Sequence, residues 1–224
     1  MPGKRFLQLK KMIKKDHFYS LDEALNLVKK TAKAKFNESV EIHLKLGIDP
    51  KKSDQQVRGI ALLPYNLGKT KKIAVFTENQ KEAAKKAGAE IVGGKELIEE
   101  ISKTKKINFD LALATPEIMK DLAKIARILG PKGLMPNPKT ETVTTDVKKT
   151  IQEFKKGKIS FKNDDSGNVH GIIGKVSQEK EKLKENLLAF LEAVKKVKPK
   201  GAKGLYIKNI TLASTMGPGI KVKI

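Results

Sequence analysis

The apolar pattern of this chain changes its period twice, and that change limits the available folds more than any other feature. Near the amino end, Val40, Ile42, Leu44 and Leu46 alternate with polar residues, the period of a strand with one buried face. In the middle, Ile73-Ala74-Val75-Phe76 and residues 109–114 are unbroken apolar runs, as in parallel strands covered on both faces. After Gly157 the first pattern returns. The two ends share one grammar and the middle has another.

The elements follow from that pattern. Ser20-Leu21-Asp22-Glu23 reads as a capped helix start, with Glu23 three residues after Ser20 and Leu21, Ala24, Leu25 and Val28 at helical spacing. Residues 57–63 read as a second strand closed by Pro64. In the middle, a helix rich in Ala and Lys is expected over 78–87, stopped at Gly88. A short strand at Ile91-Val92, a helix over 95–102 and a strand over 109–114 follow. Thr115-Pro116 then opens one helical stretch running to about Leu129, with Thr115 as its N-cap. Strands alternating with helices of this length predict a small parallel α/β unit.

In the last third, residues 158–162 and 169–173 read as an antiparallel hairpin, turned by Asp164-Asp165-Ser166-Gly167-Asn168. Residues 179–197 form a long amphipathic helix ended by Pro199, and 204–212 and 220–224 read as the last two strands. Neither end has enough strands for a sheet of its own. The expected organisation is therefore one α+β domain made of residues 1–67 plus 159–224, with an α/β domain of residues 68–158 inserted in it. Three modules in a row is the alternative.

Composition bounds the function. The 224 residues carry 47 Lys and Arg against 25 Asp and Glu, a formal charge of +22. Such an excess suits a polyanion, whose condensed counterions are displaced on binding. Nucleic acid leads, and an anionic membrane surface competes. Charge does not choose between domains: residues 1–67, 68–158 and 159–224 carry +7, +8 and +7 (14 basic against 7 acidic, 20 against 12, 13 against 6). With 39% hydrophobic residues the chain can still bury a core. Tryptophan is absent and aromatics are 5%, which counts against single-strand binding on stacked rings. Reading of folded RNA through phosphates, hydroxyls and backbone fits better. Residues 1–18 lack the apolar core of a secretory signal and read as a plain basic arm. No apolar run approaches the ~18 residues that would span a bilayer.

Catalytic chemistry is not evident. Gly68-Lys69-Thr70 resembles the end of a phosphate-binding loop, but Leu63 stands where that loop needs glycine and a strand follows it. Cysteine is absent, so no thiol nucleophile or thiolate metal site exists. His17, His43 and His170 lie far apart in sequence on different elements and read as surface or packing residues. Asp164-Asp165 suggests a calcium loop, but its twelfth position is Lys175 rather than glutamate. No catalytic residue, metal ligand or cofactor is expected.

Two loops are unusual. Residues 214–219 read Ser-Thr-Met-Gly-Pro-Gly. Glycines let backbone approach a ligand, hydroxyls suit phosphate and ribose 2′-OH, and Met216 offers a flexible apolar contact. On local features alone a rigid turn before the last strand is the favoured reading. Residues 130–140 read Gly-Pro-Lys-Gly-Leu-Met-Pro-Asn-Pro-Lys-Thr. Lys132 and Lys139 can reach phosphate, or the loop is a rigid connector packed through Leu134 and Met135.

These loops carry a family resemblance. Residues 130–140 and 214–222, with Lys35-Phe36-Asn37-Glu38, Leu46-Gly47-Ile48-Asp49-Pro50, Ser53-Asp54-Gln55, Val57-Arg58-Gly59, Ala114-Thr115-Pro116, Gly174-Lys175-Val176 and Gly201-Ala202-Lys203-Gly204, resemble the large-subunit ribosomal protein L-one family, found on the mobile stalk beside the ribosomal exit site. The resemblance covers essentially the whole chain. It implies a discontinuous α+β RNA-binding domain with an inserted three-layer α/β Rossmann-like domain. It implies partners: large-subunit rRNA, the chain's own mRNA, whose translation it would repress, and deacylated exit-site tRNA. It implies a cytoplasmic, ribosomal location and a monomer outside the ribosome, with no membrane partner. Carried onto matching positions, it implies RNA contacts from Lys35, Phe36, Ser39, Glu41 and Lys45, from His170, Gly171 and Lys175, and from Ser214, Thr215, Met216 and Gly217. The chain departs from the family in two places: Tyr65-Asn66 follow Pro64 where His-Gly is frequent, and Glu141 stands where glycine is usual.

Overall fold

The structure is a computed structural model that describes residues 3–14, 16–68 and 72–223. The first segment carries α1 (Lys4–Lys11), α2 (Leu21–Thr31), β1 (Ser39–Leu46) and β2 (Arg58–Leu62). The middle carries β3 (Ile73–Phe76), α3 (Lys81–Lys86), β4 (Ile91–Gly93), α4 (Lys95–Thr104), β5 (Leu111–Ala114), α5 (Met119–Leu122), α6 (Ala126–Leu129) and α7 (Val147–Lys156). The last segment carries β6 (Lys158–Lys162), β7 (Asn168–Lys175), α8 (Lys180–Lys196), β8 (Ile207–Ser214) and β9 (Ile220–Val222). By its internal contacts the chain divides into two compact units, residues 1–68 with 159–224, and residues 69–158.

In the first unit, β1 is the seam. It pairs antiparallel with β7 on one side and β8 on the other, giving the order β7-β1-β8-β9. Its even-numbered side chains Val40, Ile42 and Leu44 are fully buried. They meet Leu25 and Val28 of α2 and Leu187, Phe190 and Val194 of α8 in one core. The Ser20–Glu23 capping box starts α2: Glu23 N–H donates to the Ser20 hydroxyl, and the Glu23 carboxylate accepts from Ser20 N–H. Such reciprocal bonds satisfy two otherwise orphaned amides. Asn186 of α8 is wholly buried and fully used. Its carbonyl accepts from Tyr65 N–H at 2.9 Å, and its amide donates to Tyr65 C=O and Ile173 C=O. Tyr65 is thereby pinned to this helix.

The second unit is a three-stranded parallel sheet, β4-β3-β5. Every residue of β3 and β5 is buried, as unbroken apolar runs require of strands covered on both faces. One face packs on Ile98, Ile118, Leu122 and Leu129, the other on Val147, Ile151 and Phe154.

Several expectations are corrected. Residues 4–11 form a helix with Leu9 buried, not a plain arm. The stretch after Thr115 is not one helix. Short 3-10 turns at Pro116–Ile118 and Ala123–Ile125 break it, leaving α5 and α6 at four residues each. Thr115 makes no side-chain cap bond, and its hydroxyl is buried. Residues 158–162 and 169–173 are not a hairpin: β6 pairs with β2 while β7 pairs with β1. The Asp164 carboxylate does close the intervening turn, accepting from the N–H groups of Ser166 and Asn168. The two strands then part after a single bridge, Asn163 to Val169. Helix α7 carried no expectation, although Asp146 caps it through Lys149 N–H. Lys69 and Thr70 lie outside the described residues, while the strand expected after them is β3.

Candidate nucleic-acid interface

The period that buries the even-numbered residues of β1 turns Ser39, Glu41, His43 and Lys45 to the opposite face. Register extends that face across the sheet. His43 stands beside His170 of β7 and Thr211 of β8, and Thr211 beside Lys221 of β9. One step along, Glu41 lies between Ile172 and Ala213; a step the other way, Lys45 lies between Asn168 and Asn209. Helices pack on one face of this sheet, and the other is open and polar, with Ile172 42% exposed on it.

The two strand histidines, far apart in sequence and on different elements, form a direct pair on the sheet surface. Their Nδ1 atoms are 2.8 Å apart, so one ring donates and the other accepts. Glu41 lies 3.9 Å from the far nitrogen of His43, and Asp164 lies 3.4 Å from that of His170. Burial, helped by the neighbouring His170, pushes the His43 pKa down, while Glu41 opposes the shift. Among the described residues no cluster of His, Cys, Asp and Glu is arranged to hold a metal ion.

At the start of β1 two chain segments are tied together. Thr215 N–H donates to Ser39 C=O at 3.1 Å, and Ser39 N–H donates to the Thr215 hydroxyl at 2.9 Å. Glu38, 2% exposed, accepts from Ala34 N–H and from Met216 N–H, each at 2.9 Å. Burial alone would raise its pKa. The two amides, with the Ser214 hydroxyl and the charge of Arg5, more than offset that and hold the carboxyl below its usual range. Lys175 joins the cluster from β7, its Nζ 2.9 Å from the Ser39 hydroxyl.

The turn at 214–217 is closed by Gly217 N–H donating to Ser214 C=O. A Cβ at Gly217 would collide with the Ser214 hydroxyl, so a side chain there would push that hydroxyl from its place under the turn. What it presents outward is Thr215 and Met216, the latter 50% exposed. Phe36 is 55% exposed on the segment that Glu38 ties to this turn. Two large apolar side chains are therefore held out from a hydrogen-bonded base.

The structure thus gathers Lys35, Phe36, Ser39, Lys175, Thr215, Met216 and Gly217 at one end of β1. Glu41 and His170 lie further along the open face. Lys45 lies at the far end, roughly 20 Å away at a strand's rise per residue, where its Nζ donates to Ser166 C=O. Two positions differ from an outward role. Ser214 is 2% exposed, its hydroxyl under the turn beside Glu38. Gly171 faces the core, where an added Cβ would strike the Phe190 ring. Sequence reasoning assigned no role to Glu38 and set His43 aside. Both were findable by period: Glu38 is an acid in phase with buried Val40 and Ile42, and His43 sits between Glu41 and Lys45.

The other unusual loop is anchored on itself. Leu134 and Met135 pack against the second unit's core. The Thr142 hydroxyl accepts from Asn137 N–H at 2.7 Å and bridges back to Asn137 C=O. Glu141 takes φ +47°, a left-handed conformation that glycine adopts more easily. Its carboxylate meets Lys158 Nζ at 2.5 Å, and Glu153 meets the same ammonium at 2.7 Å.

Comparison with known proteins agrees along the whole length. The chain is 52% identical over 222 residues to the large ribosomal subunit protein uL1 of Mesoplasma florum, covering 99% of this chain and 98% of that one. It is 51% identical over 221 residues to the protein of the same name from Mycoplasma capricolum, with 99% and 98% covered. It is also 51% identical to that from Kosmotoga olearia, with 98% and 95% covered. With residues 28–218 matching its pattern as well, the chain belongs to the Ribosomal protein L1p/L10e family.

Proposed function

We propose that this protein is a structural constituent of the large ribosomal subunit, and that its first unit binds large-subunit rRNA at the mobile stalk. Membership of a ribosomal protein family makes its role structural rather than enzymatic. The observation that carries the RNA reading is the clamp between the start of β1 and the turn at 214–217. The Ser39 main chain and the buried Glu38 carboxylate fix that turn while Thr215, Met216 and Phe36 stay exposed. A turn held this way presents a preformed surface, so little conformational entropy is lost on binding. Hydroxyls there suit ribose 2′-OH groups, and the apolar tips suit sugar or base faces. Lys35, Lys45 and Lys175 supply attraction to phosphate, while Glu41 and the histidine pair offer acceptors and donors along the open sheet. We extend the proposal to assistance in releasing deacylated exit-site tRNA and to repression of the chain's own mRNA through a similar RNA shape. Outside the ribosome the protein acts as a monomer, in the cytoplasm and away from membranes. Among the described residues no helix is long and apolar enough to cross one.

The evenly spread charge favours a second reading, a binder of any polyanion. Affinity of the intact chain, of Thr215→Ala and of Met216→Asp for a stalk-region rRNA fragment, against unrelated RNA of equal length, separates the two. Stalk binding should survive the competitor and drop roughly tenfold to a hundredfold in Met216→Asp, the range for losing one central contact. Equal affinity for both RNAs, or no change in either variant, removes the turn from the site. Binding should weaken steeply with salt, by up to about 10³-fold or more between 50 and 200 mM if six or more phosphates are contacted.

A further inference from the structure

A cleft of about 810 Å³ lies between helix α1 and the bend that continues the 214–217 turn. Its apolar walls are Phe6, Leu7, Ile13 and Pro218. Its volume falls within the range that encloses small ligands. Lys10, Lys11, Lys14 and Lys221 border it, and Asp16, the one carboxylate among the described lining residues, is 2.8 Å from Lys221. Leu7 is 47% exposed although it sits on a helix whose Leu9 is buried. An apolar slot ringed by ammonium groups is complementary to an unpaired nucleotide, which is flat and apolar on its faces and anionic along its backbone.

Two observations tie this cleft to the interface described above. Pro218 and Gly219 follow directly on Met216 and Gly217, so the cleft begins where the exposed turn ends. Arg5 of the same helix acts electrostatically on Glu38, the carboxylate that holds Met216 N–H. Helix α1 therefore flanks the turn from the first unit's own amino-terminal segment. We propose that the RNA surface extends from the turn into this cleft, which takes one unstacked nucleotide of the bound RNA, its base against Phe6 and Leu7 and its phosphates on the surrounding lysines. A single slot of this size suits one nucleotide rather than a run of them. The inference rests on the RNA-binding reading of the turn.

Because the chain has no cysteine, a Cys placed at either position is its sole thiol. Full-length Leu7→Cys and Met216→Cys proteins, each carrying an azidophenacyl photocrosslinker, are irradiated with large-subunit rRNA from the source organism, and adducts are mapped by primer extension. The expected result is that both mark the same RNA junction, with the Leu7→Cys adduct on an unpaired nucleotide. Adducts from Met216→Cys alone overturn the cleft and leave the turn in place; adducts from neither overturn the RNA reading itself. Leu7→Glu should weaken rRNA binding about tenfold, the scale of one lost base contact, with an unchanged unfolding midpoint. If phosphatidylglycerol vesicles bind the protein and Leu7→Glu abolishes that while rRNA affinity stays the same, α1 is a membrane-seeking helix and the proposal fails.

Discussion

The two glycine- and proline-containing loops, residues 130–140 and 214–219, look alike as sequence and differ in what they are fastened to. The first is fastened to itself. Asn137 and Thr142 exchange main-chain and hydroxyl bonds, and Leu134 and Met135 turn inward. The second is fastened at its base to another part of the chain, through Ser39 and Glu38, while Thr215 and Met216 turn outward. A motif of Gly, Pro and hydroxyl residues marks an ordered bend. Whether the bend serves packing or recognition is decided by which side chains its internal bonds leave free.

The sharpest way to break this difference is to remove the fastening. Glu38→Ala deletes the acceptor of two part-buried amides, each costing up to about 1–3 kcal/mol when left unsatisfied. Urea unfolding of the first unit should show a loss of at least about 2 kcal/mol, and rRNA affinity should fall more than it does in Met216→Asp. A fully stable Glu38→Ala protein with normal affinity would mean the clamp is incidental. The matching change in the other loop is Thr142→Val, which strands the Asn137 N–H. It should cost the second unit about 1–3 kcal/mol and leave rRNA affinity unchanged. A drop in affinity there would make both loops part of the interface.

Acid provides a milder contrast. Burial works to raise the Asp164 pKa, but bonds from the Asn168 main chain and amide, from Ser166 N–H and from His170 depress it to about 2 from 3.8. Its contribution is therefore fully present above about pH 4 and is lost as pH falls through about 2. Glu38 is depressed in the same direction. In acid titrations the first unit should lose stability below pH 4, and Asp164→Asn should flatten that loss. A pH profile unchanged by the substitution would remove the Asp164 turn from the account. The smallest effect belongs to Glu141→Gly. Glycine relieves about 1–2 kcal/mol of left-handed strain but removes one of the two carboxylates on Lys158, whose side chain is 7% exposed. Denaturation should show a net change within about 1 kcal/mol, whereas Glu141→Ala, which keeps the strain and loses the pair, should be clearly less stable.

Much of this was legible from period alone. Alternation over Val40, Ile42, Leu44 and Leu46 gave β1 its buried face, and by the same count placed Glu41 and Lys45 on the open one. The unbroken runs in β3 and β5 named the parallel sheet. Period could not say which strand pairs with which: β6 and β7 flank a good turn, yet each finds its partner in an earlier strand, β2 and β1, because burial of Phe161 and Val169 outweighs a local hairpin. Helix α7 was readable from Val147, Ile151 and Phe154 behind an Asp N-cap but lay in a charged stretch that masked it. The histidine pair was hidden because 127 residues separate its members and only the register of β1 on β7 brings them together. Of the candidate site, sequence singled out the turn and the strand face. It did not reveal that the buried Glu38 joins them, nor that Ser214 and Gly171 point inward.

The central claim is that the 214–217 turn faces RNA and the 130–140 loop does not. A photoreactive amino acid placed at Met216 in one strain and at Lys132 in another, followed by irradiation of living cells and sequencing of attached RNA, compares the two directly. The account predicts that the Met216 position marks one junction of large-subunit rRNA, while the Lys132 position marks that junction weakly or not at all. Adducts from Met216 scattered over cellular RNA in proportion to abundance, or equal marking of the junction from Lys132, would contradict it.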